Sequence, residues 1–448
     1  KMVFEKYLIK ITDTRIPDII YATFPDITNN SELLNKIYKA WRLGNDSEYA
    51  QIYFAKHDVG IILTKLTNYR VITDKKVIQV TLSNGFRCYI PLNLFGNVDV
   101  DTLLEYLKLP MQITVKHVGG VLVASEVKLP TLQTSEDIAK EIVEEIGYVN
   151  ALLVSLGIYP KKEMIFLFLP RLMGLLRGFR ASYEKTAYYP IHVLQFTAPN
   201  SGKTAFSIRV AEALNYEYMG GELPSLTRLV YDARSGAIGS VGLRDGIILD
   251  EFDKKTANDV MKLVTDLRAL LTGMEQGVWS RSVGSKGIEI RKFVNFYFFG
   301  NIPPFLKGET TREKIINFYN VSGVDALIDR ITVVDVWETH INIANYLIYR
   351  IIPNYIFRGI ISLILKELKP LELEVEIGKG RIERHAMNIK SILHTLGVRL
   401  GDSTIAQIAE GKASFDVLNR TNPEDWFKDN VFKDYEKLKL IKEKIKSS

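Results

Sequence analysis

Apolar and polar residues alternate at short range between residues 57 and 130, a pattern that predicts a β-rich region. Strands are expected at 60–66, 76–82, 86–90, 111–115 and 121–124, with a helix at 101–108. The turn signals are strong: Asn-Gly at 84–85 separates the second and third strands, and Gly-Gly at 119–120 separates the last two. The predicted order is three strands, one helix and two strands.

That order is typical of an OB-fold, a small barrel that binds single-stranded nucleic acid on a basic, aromatic face. The candidate contact residues on such a face are Tyr69, Arg70, Phe86, Arg87 and Tyr89. For each of them the alternative is stronger, because alternating aromatic side chains in strands usually belong to a core. We therefore predict an OB-fold-like domain at 57–130 and leave its contacts open.

Outside that region the spacing of apolar residues favours helices. Residues 1–56 are expected to be mostly helical, with Ser31 as the cap of one helix. Further helices are predicted at 164–170, 341–368 (broken at Pro353), 381–387 and 434–446. The helices after residue 339 are expected to form a helical lid and a tail.

A buried strand is predicted at 192–196, and a helical pattern begins at residue 205. The residues between them are Thr197, Ala198, Pro199, Asn200, Ser201, Gly202, Lys203 and Thr204. They match the phosphate-binding P-loop pattern except at Thr197, where the pattern has glycine. In such a loop Lys203 reaches the β- and γ-phosphates of ATP, and the Thr204 hydroxyl ligates Mg²⁺. The glycine of the pattern eases a tight turn, and its absence weakens the match. A chance loop therefore competes with this interpretation.

The short apolar run 246–249 ends in two carboxylates, Asp250 and Glu251. A continuous apolar run is typical of a buried parallel strand, whose carboxyl end faces the crevice where α/β proteins bind ligands. We expect Asp250 to hold Mg²⁺ through water and Glu251 to orient the attacking water. The alternative is a solvated acidic turn, which the order of the two motifs disfavours.

Two more polar residues follow predicted elements. Asn301 comes after the apolar run 293–299 and is placed to contact the γ-phosphate or the water; the alternative is a turn-former before two prolines. Arg330 lies at a helix-to-strand junction, which suits an arginine finger that stabilises charge on the transferring phosphate. A salt bridge to Asp329 or Asp335 is an equally good interpretation of Arg330.

In this order, the P-loop pattern, acidic strand end, asparagine and arginine resemble those of the AAA+ ATPases. Within that group the chain most resembles the minichromosome maintenance (MCM) replicative helicases, as a divergent relative of the kind found on archaeal mobile elements. The matching segments are 242–255, 274–277 (Met-Glu-Gln-Gly), 282–288, 301–303 and 328–331. The resemblance covers residues 190–340 well and 140–400 loosely.

The resemblance implies an α/β core, with a parallel sheet flanked by helices, that binds ATP and Mg²⁺ and assembles into a hexameric ring. Arg330 would then act on the neighbouring subunit's site. A lid-helix arginine contacts the γ-phosphate in this family, and Arg384 is the first choice here, with Arg381 second. MCM proteins also have an OB-fold ahead of the motor. The departures are Thr197, a short insert before the acidic strand, and the lack of zinc-binding cysteines.

Basic residues concentrate between Trp279 and Lys292. Arg281, Lys286, Arg291 and Lys292 stand there against a single acid, Glu289. Glycines at 284 and 287 permit a tight hairpin tip, and in the MCM family the lysine of this hairpin touches DNA. The segment is therefore a candidate DNA-binding hairpin, although such a charged run is more often a solvated surface.

Composition agrees with a multidomain chain and changes little in this picture. The 448 residues allow two or three domains, and a net charge of +6 permits nucleic-acid binding without requiring it. Cys88 is the sole cysteine, so a reducing, cytoplasmic setting is expected. The six histidines lack metal-ligand spacing. The apolar run 164–170, bracketed by Lys161, Lys162 and Arg171, is too short to span a bilayer, so no membrane partner is expected.

These observations predict six parts: 1–56 helical, 57–130 OB-like, 131–190 helical linker and start of the AAA+ module, 191–338 ATPase core, 339–400 lid and 401–448 tail. The predicted function is an ATP-dependent, ring-forming, replicative DNA helicase. The alternative is an AAA+ initiator, loader or remodelling ATPase that does not unwind DNA. A third hypothesis, a degenerate ATPase kept as a structural ring, has only Thr197 in its favour.

Overall fold

The computed structural model describes residues 3–13, 15–27, 29–129, 136–181, 186–221, 223–265, 268–348, 350–378 and 380–431; the helix predicted at 434–446 lies outside them. The α-helices are Val3–Tyr7, Asp18–Thr23, Ser31–Asn45, Ser47–Phe54, Val100–Leu107, Glu136–Ile146, Tyr148–Ser155, Lys162–Met173, Lys203–Ala213, Leu226–Leu229, Ser240–Leu243, Ala257–Thr265, Arg268–Gln276, Thr311–Tyr319, Val324–Asp329, Asn354–Glu367, Arg381–Thr395, Asp402–Glu410, Phe415–Thr421 and Glu424–Val431. The strands are Ile9–Lys10, Val59–Thr64, Tyr69–Ile72, Val77–Thr81, Arg87–Pro91, Met111–Val118, Val121–Lys128, Arg177–Ala181, Thr186–Pro190, Val193–Thr197, Tyr216–Met219, Tyr231–Asp232, Ala237–Ile238, Gly246–Leu249, Val278–Val283, Lys286–Arg291, Asn295–Asn301, Val333–Trp337 and Arg350–Ile351. Among the helices in these ranges, none has the length and apolar content needed to cross a membrane.

Five parallel strands form the central sheet. Three of them recur below: the loop strand Val193–Thr197, the acidic strand Gly246–Leu249 and the amide strand Asn295–Asn301. Across the sheet the order is Tyr216–Met219, acidic strand, amide strand, loop strand and Val333–Trp337. Because all strands run the same way, their carboxyl ends meet at one edge, where Thr197 is in register with Asn301.

Alternate residues of these strands pack into cores on opposite faces of the sheet, which explains why the strands are apolar throughout. In the amide strand, Tyr297 and Phe299 pack on one face with helix Lys162–Met173. Phe296 and Phe298 pack on the other face into a second core. The predicted mixed α/β architecture with a parallel sheet and flanking helices is confirmed.

The β-rich region forms a second, largely antiparallel sheet, the N-terminal sheet, from strands within residues 59–128. The extended run at 57–74, in which one strand was predicted at 60–66, contains two strands, Val59–Thr64 and Tyr69–Ile72, which occupy separate positions in the sheet. The predicted turns at 84–85 and 119–120 each connect two strands that pair with each other in an antiparallel way. The strand, helix and turn order predicted from the alternation is thus found, with one strand split.

The helical predictions are partly confirmed. Helices cover the predicted buried run, at Lys162–Met173, and the predicted start at residue 381, at Arg381–Thr395. The helix Ser31–Asn45 is capped by Asn30, so the assignment of the cap to Ser31 was wrong by one residue. Asn30 Oδ1 accepts a hydrogen bond from the Leu33 amide at 3.0 Å, which satisfies one of the free amides at the helix start.

The helix predicted over 341–368 is wrong in its first half. Residues Ile343–Tyr346 form a 3₁₀ turn, Arg350–Ile351 form a short strand, and the α-helix begins only at Asn354. Ile351 pairs with Ile9 of the N-terminal segment. The apolar residues before Pro353 are therefore buried by strand pairing and loop packing rather than by a helix face.

The two sheets are joined by a short hairpin, the insert hairpin, formed by Tyr231–Asp232 and Ala237–Ile238. It lies in the insert that precedes the acidic strand. Ala237 pairs with Ile72, so the insert hairpin extends the N-terminal sheet at its Tyr69–Ile72 edge. Backbone pairing across this boundary makes the two regions continuous.

Two buried cations reinforce the boundary. Lys65, in the break between the split strands, donates to the carbonyls of Ala211 and, at 2.9 Å, Leu214, at the end of helix Lys203–Ala213. Arg244, which is 1% exposed, donates to the carbonyl of Thr67 at 2.7 Å. The break between Val59–Thr64 and Tyr69–Ile72 therefore places Lys65 and Thr67 in contact with residues of the region that contains the central sheet.

Candidate functional site

The loop after the loop strand has the strand–loop–helix geometry predicted for it. It ends at Gly202, whose φ of +80° is a left-handed conformation that glycine adopts freely, and helix Lys203–Ala213 follows. A Cβ at Gly202 would lie 2.9 Å from Ile343 Cγ1, so space also requires glycine there. The Ile343 amide donates to the Asn200 carbonyl at 2.9 Å, which holds the loop against the 3₁₀ turn Ile343–Tyr346.

Lys203 is the centre of this loop. Its Nζ donates to Thr197 Oγ1 at 2.7 Å, to Asn301 Oδ1 at 3.0 Å and to Ser201 Oγ at 3.4 Å. Burial, followed by the nearby Arg171 charge, lowers the pKa of Lys203 to about 8. A buried ammonium held only by neutral oxygens is poised to accept an anionic ligand.

Thr197, where the P-loop pattern has glycine, takes part in this arrangement. Its side chain is fully buried, and its Oγ1 lies 2.5 Å from Ser201 Oγ in addition to accepting from Lys203. The substitution therefore leaves the strand end intact and adds an oxygen partner for the lysine. Among small side chains, only those of threonine and serine offer such a hydroxyl.

Asp250 and Thr204 also meet at this edge. Asp250 Oδ2 accepts hydrogen bonds from Thr204 Oγ1 at 3.2 Å and from Tyr218 hydroxyl at 2.8 Å. A carboxylate beside a hydroxyl is an oxygen donor set of the kind that Mg²⁺ prefers, so these residues fit the predicted metal. Tyr218 was not predicted; burial and its bond to Asp250 raise its pKa to about 12.

Glu251 adopts an uncommon backbone conformation, with φ of +55°. Its Oε1 pairs with Lys254 at 2.6 Å, and both side chains are about half exposed. Strained backbone of this kind is concentrated at functional sites. The Glu251 amide donates to Asp250 Oδ1 at 2.8 Å, which fixes the backbone of Glu251 against that carboxylate.

A buried arginine supports the loop from within the protein. Arg171 was expected to flank a buried helix, but it is fully buried, at 0% exposure. It donates to the Ser201 carbonyl at 3.0 Å and to Gln195 Oε1 at 2.7 Å, and its guanidinium lies 4.6 Å from the Phe168 ring centroid. Only its place at the end of an apolar run could have suggested burial.

The network continues to the C-terminal helices. Gln195 Nε2 donates to Asp335 Oδ2 at 3.0 Å, and the Phe415 amide donates to Asp335 Oδ1 at 3.0 Å. Burial raises the pKa of Asp335 to about 6. A chain of buried polar contacts thus leads from Ser201 in the loop to the start of helix Phe415–Thr421.

Arg330 and Arg384 lie together around Glu275, and within the described ranges neither of them contacts the loop. Arg330 pairs with Glu275 Oε2 at 3.4 Å, Arg381 with the same oxygen at 2.7 Å, and Arg384 with Oε1 at 3.7 Å. Arg330 is thus in a salt bridge, but its partner is Glu275 and not Asp329 or Asp335, the two partners considered from the sequence. Asp329 pairs instead with Arg381 at 2.6 Å. We call Arg330, Arg381, Arg384 and Glu275 the arginine cluster.

The predicted DNA segment is a hairpin of strands Val278–Val283 and Lys286–Arg291, the basic hairpin. Its two-residue turn has Gly284 at φ of +61°, whereas Gly287 lies within a strand opposite Ser282, so only one of the two glycines forms the tip. Lys286 is exposed beside this turn.

The other predicted cations of the basic hairpin have protein partners. Arg281 donates to Thr227 Oγ1 at 2.6 Å, Arg291 pairs with Glu289 at 2.9 Å, and Lys292 pairs with Asp245 at 3.3 Å. Across the ranges that the structure describes, Lys286 has no ion pair. The hairpin is found as predicted, but its free charge is smaller than the sequence suggests.

No protein-family model matches the chain. It is similar to uncharacterised proteins of three viruses: ORF425 of Acidianus filamentous virus 2, ORF426 of Acidianus filamentous virus 1, and protein 440 of Sulfolobus islandicus rod-shaped virus 1. The first is 35% identical over 48% of this chain and 51% of its own length, so the match spans about half of that relative. The other two are each 26% identical, over 81% and 86% of this chain and 88% and 87% of their own lengths.

Proposed function

We propose that this protein is an ATPase whose site lies at the carboxyl edge of the central sheet. The observation that supports this most is the convergence of Lys203, Thr197 and Asn301 with Thr204 and Asp250, from three neighbouring parallel strands and one helix start. These residues come from three separate motifs, the 197–204 loop, the acidic strand end and the asparagine after the amide strand, in the order expected from the sequence. A solvated acidic turn or a chance loop does not account for such convergence.

In the proposed reaction Lys203 exchanges the neutral oxygens of Thr197 and Asn301 for the β- and γ-phosphates of ATP. Thr204 and Asp250 would hold Mg²⁺, which would supply positive charge to offset that of the phosphate oxygens. Glu251 leaves its ion pair with Lys254 and orients the attacking water. The Glu251 side chain is half-exposed, so water can reach it. Asn301, released by Lys203, contacts the γ-phosphate or that water.

The arginine cluster is proposed to serve a neighbouring subunit in a ring. Arg330 and Arg384 share Glu275 and have no contact with the loop of their own chain among the described residues. Two partly buried arginines held in place by one carboxylate, without contact to their own loop, suit a site completed by a second copy. The proposed assembly is a hexamer, on the resemblance alone.

The class proposed is an AAA+ ATPase of the MCM-like helicase group, acting on DNA inside the cell. The parallel strand order and the sequence motifs support the class, and the order of strands, helix and strands within residues 59–128 supports the proposed OB-type domain. The C-terminal helices are proposed as its lid. The exposed Lys286 on the basic hairpin is the residue proposed to grip DNA.

A second candidate is an initiator, loader or remodeller that binds DNA without unwinding it. Its support is that Arg281, Arg291 and Lys292 are engaged with protein groups, which leaves the basic hairpin with less free charge. The degenerate ATPase is disfavoured, because Thr197 contacts Lys203 rather than disrupting the loop.

Strand displacement of forked DNA with ATP tests the proposal. The wild type is expected to separate the strands, Lys203→Ala to lose ATP hydrolysis, and Lys286→Ala to keep basal hydrolysis while losing displacement. Lys412→Ala, which removes an exposed lysine paired with Glu410, is the matched control. ATP hydrolysis at wild-type rate by Lys203→Ala would refute the site. Hydrolysis and DNA binding without displacement by the wild type would favour the second candidate.

A further inference from the structure

A groove of about 750 Å³ lies between residues 223–227 and helix Ala257–Thr265, outside the residues assigned to ATP. Its described charged lining consists of Lys254, Lys255, Asp259, Lys262 and Arg281. The remaining side chains are uncharged, among them Leu223, Pro224, Thr227 and Leu263. Lys254 is paired with Glu251, so three cations, Lys255, Lys262 and Arg281, stand against the Asp259 carboxylate and give the groove a net positive charge.

The single carboxylate is already used by the protein. Asp259 Oδ2 accepts the Thr256 amide at 2.9 Å, and the Asp259 amide donates to Thr256 Oγ1 at 3.1 Å, a reciprocal cap at the start of helix Ala257–Thr265. Lys255 and Lys262 have no ion pair within the described ranges. The groove therefore has positive charge that nothing in that part of the chain neutralises.

The groove leads to the basic hairpin. Arg281, which lines it, is fixed by hydrogen bonds to Thr227 Oγ1 at 2.6 Å and to the Tyr231 carbonyl at 2.8 Å. Two residues further along the same strand, about 7 Å at roughly 3.3 Å a residue, Val283 pairs with Lys286. The lysines of the groove, Arg281 and Lys286 thus follow one another along a continuous path.

We infer that the groove binds the sugar–phosphate backbone of a single DNA strand and extends the contact made by Lys286. The inference rests on the proposed function, which supplies DNA as the ligand. A polymer with one fixed negative charge per nucleotide matches separated cations along a path, and uncharged side chains between them leave room for sugars. A compact anion would occupy only one end of it.

The test is the salt dependence of binding to a single-stranded oligothymidylate, measured by fluorescence anisotropy. Lys255→Ala/Lys262→Ala should flatten the log–log slope by about 1.4, since each phosphate contact contributes about 0.7 for single strands. Lys140→Ala/Lys369→Ala, which removes two exposed lysines elsewhere, should leave the slope unchanged. Lys255→Arg/Lys262→Arg should keep the wild-type slope, and all three should keep basal ATP hydrolysis.

If Lys255→Ala/Lys262→Ala has the wild-type slope, the inference that the groove binds DNA is wrong. It is also wrong if the control pair flattens the slope equally. Amine acetylation of the wild-type protein gives a second measurement that needs no variant. The oligonucleotide should protect Lys255 and Lys262 more than Lys140 and Lys369, and equal labelling would also overturn the inference. If the wild type hydrolyses ATP but binds no DNA, the proposed function fails first. If Lys286→Ala weakens binding and the groove variant does not, only the groove fails.

Discussion

Lys203 is an ammonium group buried among neutral oxygens, and this leads to a pH-dependent prediction. With a pKa of about 8, about half of the molecules have an uncharged Lys203 at pH 8 and about a tenth at pH 7. Phosphates stabilise the charged form, so ATP binding should take up about half a proton at pH 8 and about a tenth at pH 7. Calorimetry in buffers of different ionisation enthalpy measures this uptake.

The same lysine allows a control for that measurement. Lys203→Met removes the titrating group, so the remaining, weaker binding should show no difference between buffers at pH 8. Uptake that persists in Lys203→Met would assign the proton to another group. Equal heats in all buffers for the wild type would contradict a lowered pKa for Lys203.

At the scale of elements, the insert hairpin connects the two parts proposed to meet DNA. Arg70 of the N-terminal sheet pairs with Asp232 at 3.0 Å, and Arg281 of the basic hairpin donates to the Tyr231 carbonyl at 2.8 Å. Arg70→Ala should therefore reduce the stimulation of ATP hydrolysis by DNA several-fold while DNA affinity and basal hydrolysis stay near wild type. A partly exposed ion pair contributes about 1 kcal/mol at most, so unfolding should shift little.

Steady-state ATPase assays with and without single-stranded DNA measure that loss. Arg234→Ala is the matched control, because its side chain is exposed on the turn of the same hairpin. A loss of DNA affinity equal to the loss of stimulation would mean that Arg70 is a DNA contact and not a connection between elements. Unchanged stimulation in Arg70→Ala would remove the insert hairpin from the pathway.

Elements were more predictable than the contacts between them. The apolar runs of the central strands and the Asn-Gly turn at 84–85 are local signals, and they predicted strands and a hairpin that the structure contains. Arg171, Lys65 and Arg244 were not predicted as buried, because a basic residue gives no local sign of the carbonyls that another element will offer it. For the same reason the apolar run before Pro353 was assigned to a helix, although Ile351 pairs with Ile9.

The candidate site also has residues that the sequence predicted and contacts that it did not. Lys203, Thr204, Asp250 and Asn301 follow from motif order, because parallel strands bring their carboxyl ends to one edge. Tyr218 was missed, since its hydroxyl reaches Asp250 only through the neighbouring strand. The preference for Arg384 over Arg381 is not decided by contacts either, because both bind Glu275.

For the whole molecule, the arginine cluster predicts a shared site between copies. Arg330→Ala should still bind ATP but lose about 10³–10⁵ in hydrolysis rate, the range for such arginines. Mixing Arg330→Ala with Lys203→Ala should recover part of the activity, because a mixed interface can combine an intact Lys203 with an intact Arg330. ATPase assays on the mixture, with mixed oligomers verified by native mass spectrometry, measure the recovery.

Failure to recover in verified mixed oligomers would mean that Arg330 acts within its own chain, through its ion pair with Glu275. Glu275→Gln separates these outcomes further. It removes the negative charge that pairs with Arg330 within the chain, while the bonds of Arg330 to the Leu271 and Ala326 carbonyls and its positive charge remain, so hydrolysis should fall far less than in Arg330→Ala.

The strand pairing between Ile72 and Ala237 means that the N-terminal sheet is not an exchangeable module. A fragment that stops near residue 129 would expose a strand edge that the insert hairpin now covers, and would lose Ile238 and Leu243 from its core. Such a fragment should self-associate in size-exclusion chromatography unless residues 226–244 are grafted onto it. Recombination between related chains would then have to transfer two separated stretches of sequence together, which restricts how such a protein can exchange its N-terminal sheet.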